Sequence, residues 1–189
     1  QETFHLAVDA ANVISDGYMR DAAFNDIAME QARGNLMPDD KKTFGLTIDA
    51  TNDITDVSTR ALALKDIAVE QANLMPDDAR KTFHLAVNAA NEVGSPDIRA
   101  TTFKVIAEGQ ARAKLMTDAK ETLNLAVSAA KVIDLDILKA PAIEGIYMKQ
   151  IEWEFFNEAK ATAEYSNNPS WKERVNSLIA MKKGTGHFI

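Results

Sequence analysis

Cysteine is absent from the chain of 189 residues, which removes disulfides, thiolate zinc sites and cysteine nucleophiles together and suits any redox compartment. No apolar run approaches the roughly 18 residues that a membrane-spanning helix needs, so membrane insertion is not expected. Histidine is scarce: His5 and His84 lie far apart along the chain, and His187 lies in the tail. No HExxH helix, EF-hand loop, glycine-rich phosphate loop or GxSxG elbow occurs. The paired acids of "PDD" at Asp39 and Asp40 and at Asp77 and Asp78 match no calcium loop. The chain therefore reads as a non-enzyme, with no catalytic residue, no metal ligand and no cofactor assigned.

A basic stripe is missing as well. With a formal net charge of -7, the surface would repel nucleic acid and anionic membranes, so neither is expected as a partner. Gln1 in place of an initiator Met fits a removed leader or a shortened chain, and leaves a secreted or extracytoplasmic location open. At 46% hydrophobic and 26% charged, the composition is that of an ordinary folded protein with enough chain for a sizeable core.

What the chain does have is repetition. "NLMPDD" stands at 35–40 and again at 73–78, with a worn copy, "LMTD", at 115–118. In step with it run "TFHLAVDAANVI" from Thr3, "TFGLTIDATNDI" from Thr43, "TFHLAVNAANEV" from Thr82 and "TLNLAVSAAKVI" from Thr122. A second segment follows each of these, beginning at Arg20, Arg60, Arg99 and Lys139. Phe24, Ile27, Ala28, Gln31 and Ala32 fall at i, i+3, i+4, i+7 and i+8, one face of a helix and no face of a strand. The start signals agree. Ser95 before Pro96 offers a cap with proline in the first turn, and the acids after Pro38 and Pro76 sit where the helix dipole favours them. "LMPDD" is thus the punctuation that closes one hairpin and opens the next, its Leu and Met expected inside the inter-repeat core.

The expectation is an all-α fold: one domain over 1–189, a right-handed or curved α-solenoid of four two-helix repeats at about 2–40, 41–79, 80–119 and 120–165. The second helix of the fourth repeat is expected to run on through "MKQIEWEFFNEAKATAEY". A capping helix at about 170–183 would start with a capping box, Ser170 with Glu173, and carry Trp171, Val175 and Leu178 as its apolar stripe. Over residues 2 to about 160 the chain resembles the tetratricopeptide and HEAT-like class of helical repeats. Its period exceeds the roughly 34 residues of a tetratricopeptide unit. The Trp, Leu-Gly and Tyr pattern of that family is missing, so no peptide-binding position carries over. The resemblance implies binding or scaffolding rather than catalysis.

Two surfaces then stand out. On a helical wheel, His5, Asp9, Asn12 and Asp16 share a narrow arc of the first helix. The equivalent arcs hold Gly45, Asp49 and Asn52, then His84, Asn88 and Asn91, then Asn124, Ser128 and Lys131. Stacked, these arcs make a polar ribbon. It is either the helix face that meets water or a groove whose Asn amides, able to donate and accept, hold an extended peptide. The second surface is the N-terminal end, where the first helix is as apolar as the internal ones although a terminal repeat normally turns a polar face outward. Docking of a second copy there, through Phe4 and Leu6 with Phe188 and Ile189 of the tail as a plug, is the leading reading: a structural subunit that self-associates end to end into an oligomer or filament. The alternative is a monomeric scaffold that binds a protein or peptide along the ribbon.

Two other positions recur. Arg20, Arg60, Arg99 and Lys139 put a cation at the start of each second helix, against the dipole, which calls for a local partner such as Asp9, Asp49 or the loop acids. Gln31, Gln71, Gln110 and Gln150 lie on the apolar face, where their amides are expected to bond loop carbonyls.

Overall fold

A computed structural model of the chain describes residues 2–17, 19–20, 22–23, 26–27, 30, 45, 48–49, 51–166, 168 and 170–185. Among the described residues there are eight α-helices and no strand. They are α1 (Glu2–Asn12), α2 (Val57–Gln71), α3 (Pro76–Asn91), α4 (Pro96–Arg112), α5 (Met116–Lys131), α6 (Asp136–Glu152), α7 (Phe156–Ala163) and α8 (Ser170–Thr185). The chain divides into two compact units, Gln1–Val93 with Glu108–Met116, and Gly94–Ala107 with Thr117–Ile189. Phe24, Ala28, Gln31 and Ala32 of the first repeat, and its "LMPDD" at 36–40, lie outside the described residues.

Helix starts follow the local chemistry. α3 opens on Pro76 with Asp77 and Asp78 in its first turn, where a missing N–H is harmless and negative charge meets the positive end of the dipole. α2 is capped by Asp56, whose Oδ1 accepts from Thr59 N at 2.7 Å. The hydroxyl of Ser58 and the Thr59 amide together hold this carboxyl below its ordinary range. Ser95 stands before Pro96 as expected, its carbonyl accepting from Arg99 N at 2.8 Å.

In the first unit, α2 packs against α3. Ala11, Ile54 and Ala63 form one buried cluster with Ala23 and Ile27 against it, while Ile67 anchors a second with Ile48 and Met75. Met75 is thus in the core, but Leu74 and Met116 are exposed, so only part of the "LM" pair is tucked away. The recurring Thr of the first helices is buried at Thr82, Thr122 and Thr162, and Thr82 Oγ1 donates to Asp78 O at 3.1 Å, which satisfies the hydroxyl within its own helix.

In the second unit, α6 and α8 both pack on α7. The C-terminal segment departs from expectation. The second helix of the fourth repeat stops at Glu152, and α7 is a separate helix. Aligned on its loop, Phe155 and Phe156 take the places of Leu115 and Met116, and Ala159 and Thr162 those of Ala119 and Thr122, all four of the latter buried. α7 thus carries, in shortened form, residues like those that open a first helix. Trp171, Val175 and Leu178 do face inward on α8 as expected. Its start is carried by Asn168, whose Oδ1 accepts from Ser170 N at 3.0 Å and Ser170 Oγ at 2.7 Å, in place of a Ser170–Glu173 box.

The break after α6 repeats the break after α4. Leu115 N donates to Gln110 O at 2.8 Å, and Lys114 N to Ala111 O at 2.9 Å. Phe155 N donates to Gln150 O at 2.7 Å, and Glu154 N to Ile151 O at 3.1 Å. Both are Schellman closures, and both place a non-glycine residue in the left-handed region, with φ of 62° at Lys114 and 65° at Glu154. Replacing either residue by glycine removes that strain and is expected to raise stability by up to about 1 kcal/mol. Urea midpoints of Lys114→Gly and Glu154→Gly at or below the parent value would contradict it. The recurring Gln is thus the residue whose backbone carbonyl closes the turn. Its side chain is buried at Gln71, Gln110 and Gln150, and in each the Oε1 has no partner among the described residues.

Candidate functional site

Each first helix hides one side and bares another. On α3 Lys81, His84, Leu85, Asn88 and Asn91, with the C-cap Glu92, form an exposed stripe at helical spacing opposite buried Phe83, Ala86, Ala89 and Ala90. Asp9 and Asn12 on α1, and Asp49 and Asn52 of the second repeat, are exposed likewise, so all the described ribbon residues of the first unit face water. No side chain of Asp9, Asn12, Asp49, Asn52, His84, Asn88 or Asn91 bonds to another described residue. The side chains of Phe4 and His5 lie outside the described residues, as do Phe188 and Ile189.

The ribbon of the second unit differs. Ser128 Oγ donates to Asn124 O at 3.0 Å, and the Lys131 amine sits 3.9 Å from the centre of the Tyr165 ring. Lys131 is thus engaged within its own fold, while the Ser128 bond takes the backbone carbonyl of Asn124 and leaves its side-chain amide untouched.

A leucine stands beside the polar arc in each of the four repeats. Leu6 is 67% exposed, Leu85 44% and Leu125 36%, and all occupy one repeat position. The signal was present: Leu6, Leu46, Leu85 and Leu125 recur in all four repeats, one step of about 100° past the His or Asn position. In the first unit the surface therefore pairs amides and carboxylates with exposed leucine.

The cation row has found other partners. Arg60 pairs with Glu92, the C-cap of α3, at 2.7 Å, and Lys139 Nζ donates to Lys131 O, at the last residue of α5, at 2.9 Å. Each meets the C-terminal end of a neighbouring first helix, where positive charge is favoured and carbonyls lack partners. For these two, a cation at the unfavourable end of its own helix is stabilised by another helix end, that of the following helix for Arg60 and of the preceding helix for Lys139. Asp9 and Asn12 are left available.

Among the described residues no group of His, Asp and Glu is placed to hold a metal, and no helix is long and apolar enough to cross a membrane. No protein-family model matches the chain, and no curated protein does. Among solved structures, the crystal structure of Ton1535 from Thermococcus onnurineus NA1 is similar, with a TM-score of 0.60 and 18% identity over 96% of this chain. The alignment covers 55% of that protein's chain, so the present chain spans little more than half its length, and at that identity the likeness concerns the fold alone.

Proposed function

We propose that this chain is a non-catalytic α-solenoid that acts by protein–protein interaction, binding an extended segment of a partner along the exposed face of its first helices. Neighbours one repeat apart support the stacking. Lys120 of α5 pairs with Glu158 of α7 at 2.7 Å, and a Cβ on Gly145 of α6 would lie 3.6 Å from Lys104 Cδ of α4, so first helices meet first helices and second meet second. The observation that carries the binding role is the first unit's row of unbonded Asn and Asp side chains beside exposed Leu6 and Leu85. Amides that donate and accept suit a peptide backbone, and leucines suit its apolar side chains.

The test is selection of peptides from a random display library on the immobilised protein, followed by calorimetry of the best binder. Replacing Asn12, Asn52 and Asn91 together by Ala is expected to weaken that binding about tenfold or more, while helicity holds or rises because Ala is the better helix former. Recovery of no peptide, or unchanged affinity in the triple variant, would remove the ribbon as a site. End-to-end docking through Phe4, Leu6, Phe188 and Ile189 has weaker support. Leu6 is exposed, but the outward side of α8 carries Lys172, Glu173, Asn176 and Ser177, the polar face of a terminal cap.

A further inference from the structure

We propose that the partner segment held along the first unit's ribbon is basic: an extended stretch with Lys or Arg about every third residue, its cations set on Asp9 and Asp49. This occupant rests on the reading of the ribbon as a peptide site and adds its chemistry. Charge is divided unevenly along the chain. Residues 1–93, the main part of the first unit, hold 16 of the 28 acids and only 8 of the 21 Lys and Arg, a net charge of -8 with His neutral, whereas residues 94–189 come to +1. Such an asymmetry draws a cationic partner to the acidic part, and a near-neutral second half offers it little. Several acids of the first unit already serve its own fold. Asp56 caps α2, Asp16 accepts from Met19 N at 2.9 Å, Asp66 holds Lys65, Asp78 holds Lys81 and Glu92 holds Arg60. The side chains of Asp9 and Asp49 are exposed and bond to no other described residue.

Spacing sets the interval. Asp9 and Asp49 occupy one repeat position in neighbouring repeats. Ala11 of α1 and Ile54, just past the first helix of the second repeat, share a buried cluster, so the two first helices lie side by side. Packed helices stand about 8–10 Å apart, and an extended chain rises about 3.3 Å per residue, so about three residues cross from one helix to the next. Cations at that interval meet both carboxylates. The third repeat carries Asn88 at this position, exposed and unbonded, so the side chain that meets it is polar and uncharged. Leu6 and Leu85 stand three residues before Asp9 and Asn88, on the same helix faces, and receive apolar side chains that lie between the cations.

The peptides selected from the random library on the immobilised protein test it by their composition. Lys and Arg should be enriched over the unselected library, about three residues apart, and binding of a selected peptide should weaken as salt rises from about 0.05 to 0.5 M. Asp9→Asn with Asp49→Asn keeps the size of both side chains, and circular dichroism checks that the helices hold. That variant should bind the same peptide about fivefold more weakly at low salt and lose most of the salt dependence, as two exposed ion pairs allow. Asp9→Lys with Asp49→Lys should turn the selection towards acidic peptides. Binders that need Asn12, Asn52 and Asn91 but carry no excess of Lys or Arg, or that hold to the Asp9→Asn/Asp49→Asn variant as to the parent, would overturn the basic occupant and leave the ribbon as a site. Recovery of no peptide at all would overturn both. A parent chain that associates with itself in light scattering, and ceases to do so in the Asn variant, would make a second copy the occupant instead.

Discussion

Phe83→Ala is expected to lower the unfolding free energy by about 3–5 kcal/mol, the usual loss when a buried aromatic ring is cut back to a methyl. Phe83 is 1% exposed and sits in α3 at the position held by Phe4, Phe44 and Leu123 in the other repeats. Its surroundings are helix backbone and packed side chains, which collapse poorly into a cavity, so the upper part of that range applies. Against a total stability of about 10 kcal/mol for an average domain, this is a large share. The probe matters. Trp153 and Trp171 both belong to the second unit, whereas Phe83 belongs to the first. Circular dichroism should therefore record an earlier urea transition than tryptophan fluorescence does. Coincident, unshifted transitions by both probes would mean that Phe83 is not a core residue; coincident transitions that both shift would mean that the two units unfold as one.

Repetition made most of the architecture readable. One helix start is ambiguous alone, but "PDD" after Leu-Met becomes firm when it recurs about forty residues on, and α3 and α4 begin on Pro76 and Pro96, where "PDD" and the Ser95-Pro96 pair place them. The separate α7 is hard to read because its markers are worn. Phe155 and Phe156 replace Leu and Met, the proline is gone, and Ala159 and Thr162 are two weak matches in a run that also reads as one long amphipathic helix. The break itself rests on a left-handed Glu154, and a glutamate carries none of the warning that a glycine at that place would.

The ribbon was legible because a helical wheel sorts polar from apolar. The leucine row was harder, since a leucine at the edge of an arc is assigned to the core by default and only its surroundings decide. The exposure of Leu135 and Ile137 is hidden from the sequence for a related reason. "VIDLDIL" reads as apolar filling until one sees that Ile133 alone is buried there. The cation row could not be placed from one helix: Arg60 and Lys139 are explained by the ends of other helices, and that information is tertiary.

Gly109→Leu is expected to destabilise the first unit by about 2–3 kcal/mol, through overpacking rather than through helix propensity. Gly109 lies inside α4 where the second and fourth repeats carry Glu70 and Lys149, so the helix itself does not ask for glycine. The neighbours do. A Cβ there would lie 2.8 Å from Cγ and Cδ of Lys65 and 3.2 Å from Cε1 of Phe83. Lys65 is buried, its stem laid against α4 and its amine paired with Asp66. A methyl group asks that the buried Lys65 stem shift and the Phe83 ring give by a few tenths of an ångström, which the roughly 1 kcal/mol that Ala gains over Gly in a helix interior offsets in part, so Gly109→Ala should cost clearly less than Gly109→Leu. A leucine must displace the Phe83 ring or drive the Lys65 amine from its acid, leaving a buried charge unpaired. Shortening the obstacle should relieve it. In the double variant Lys65→Ala/Gly109→Leu the coupling energy is expected to be favourable by at least about 1 kcal/mol, because the space vacated by the lysine stem receives the leucine. Strictly additive losses in that cycle would show that the two side chains do not compete for one volume, and that glycine at this position has another cause.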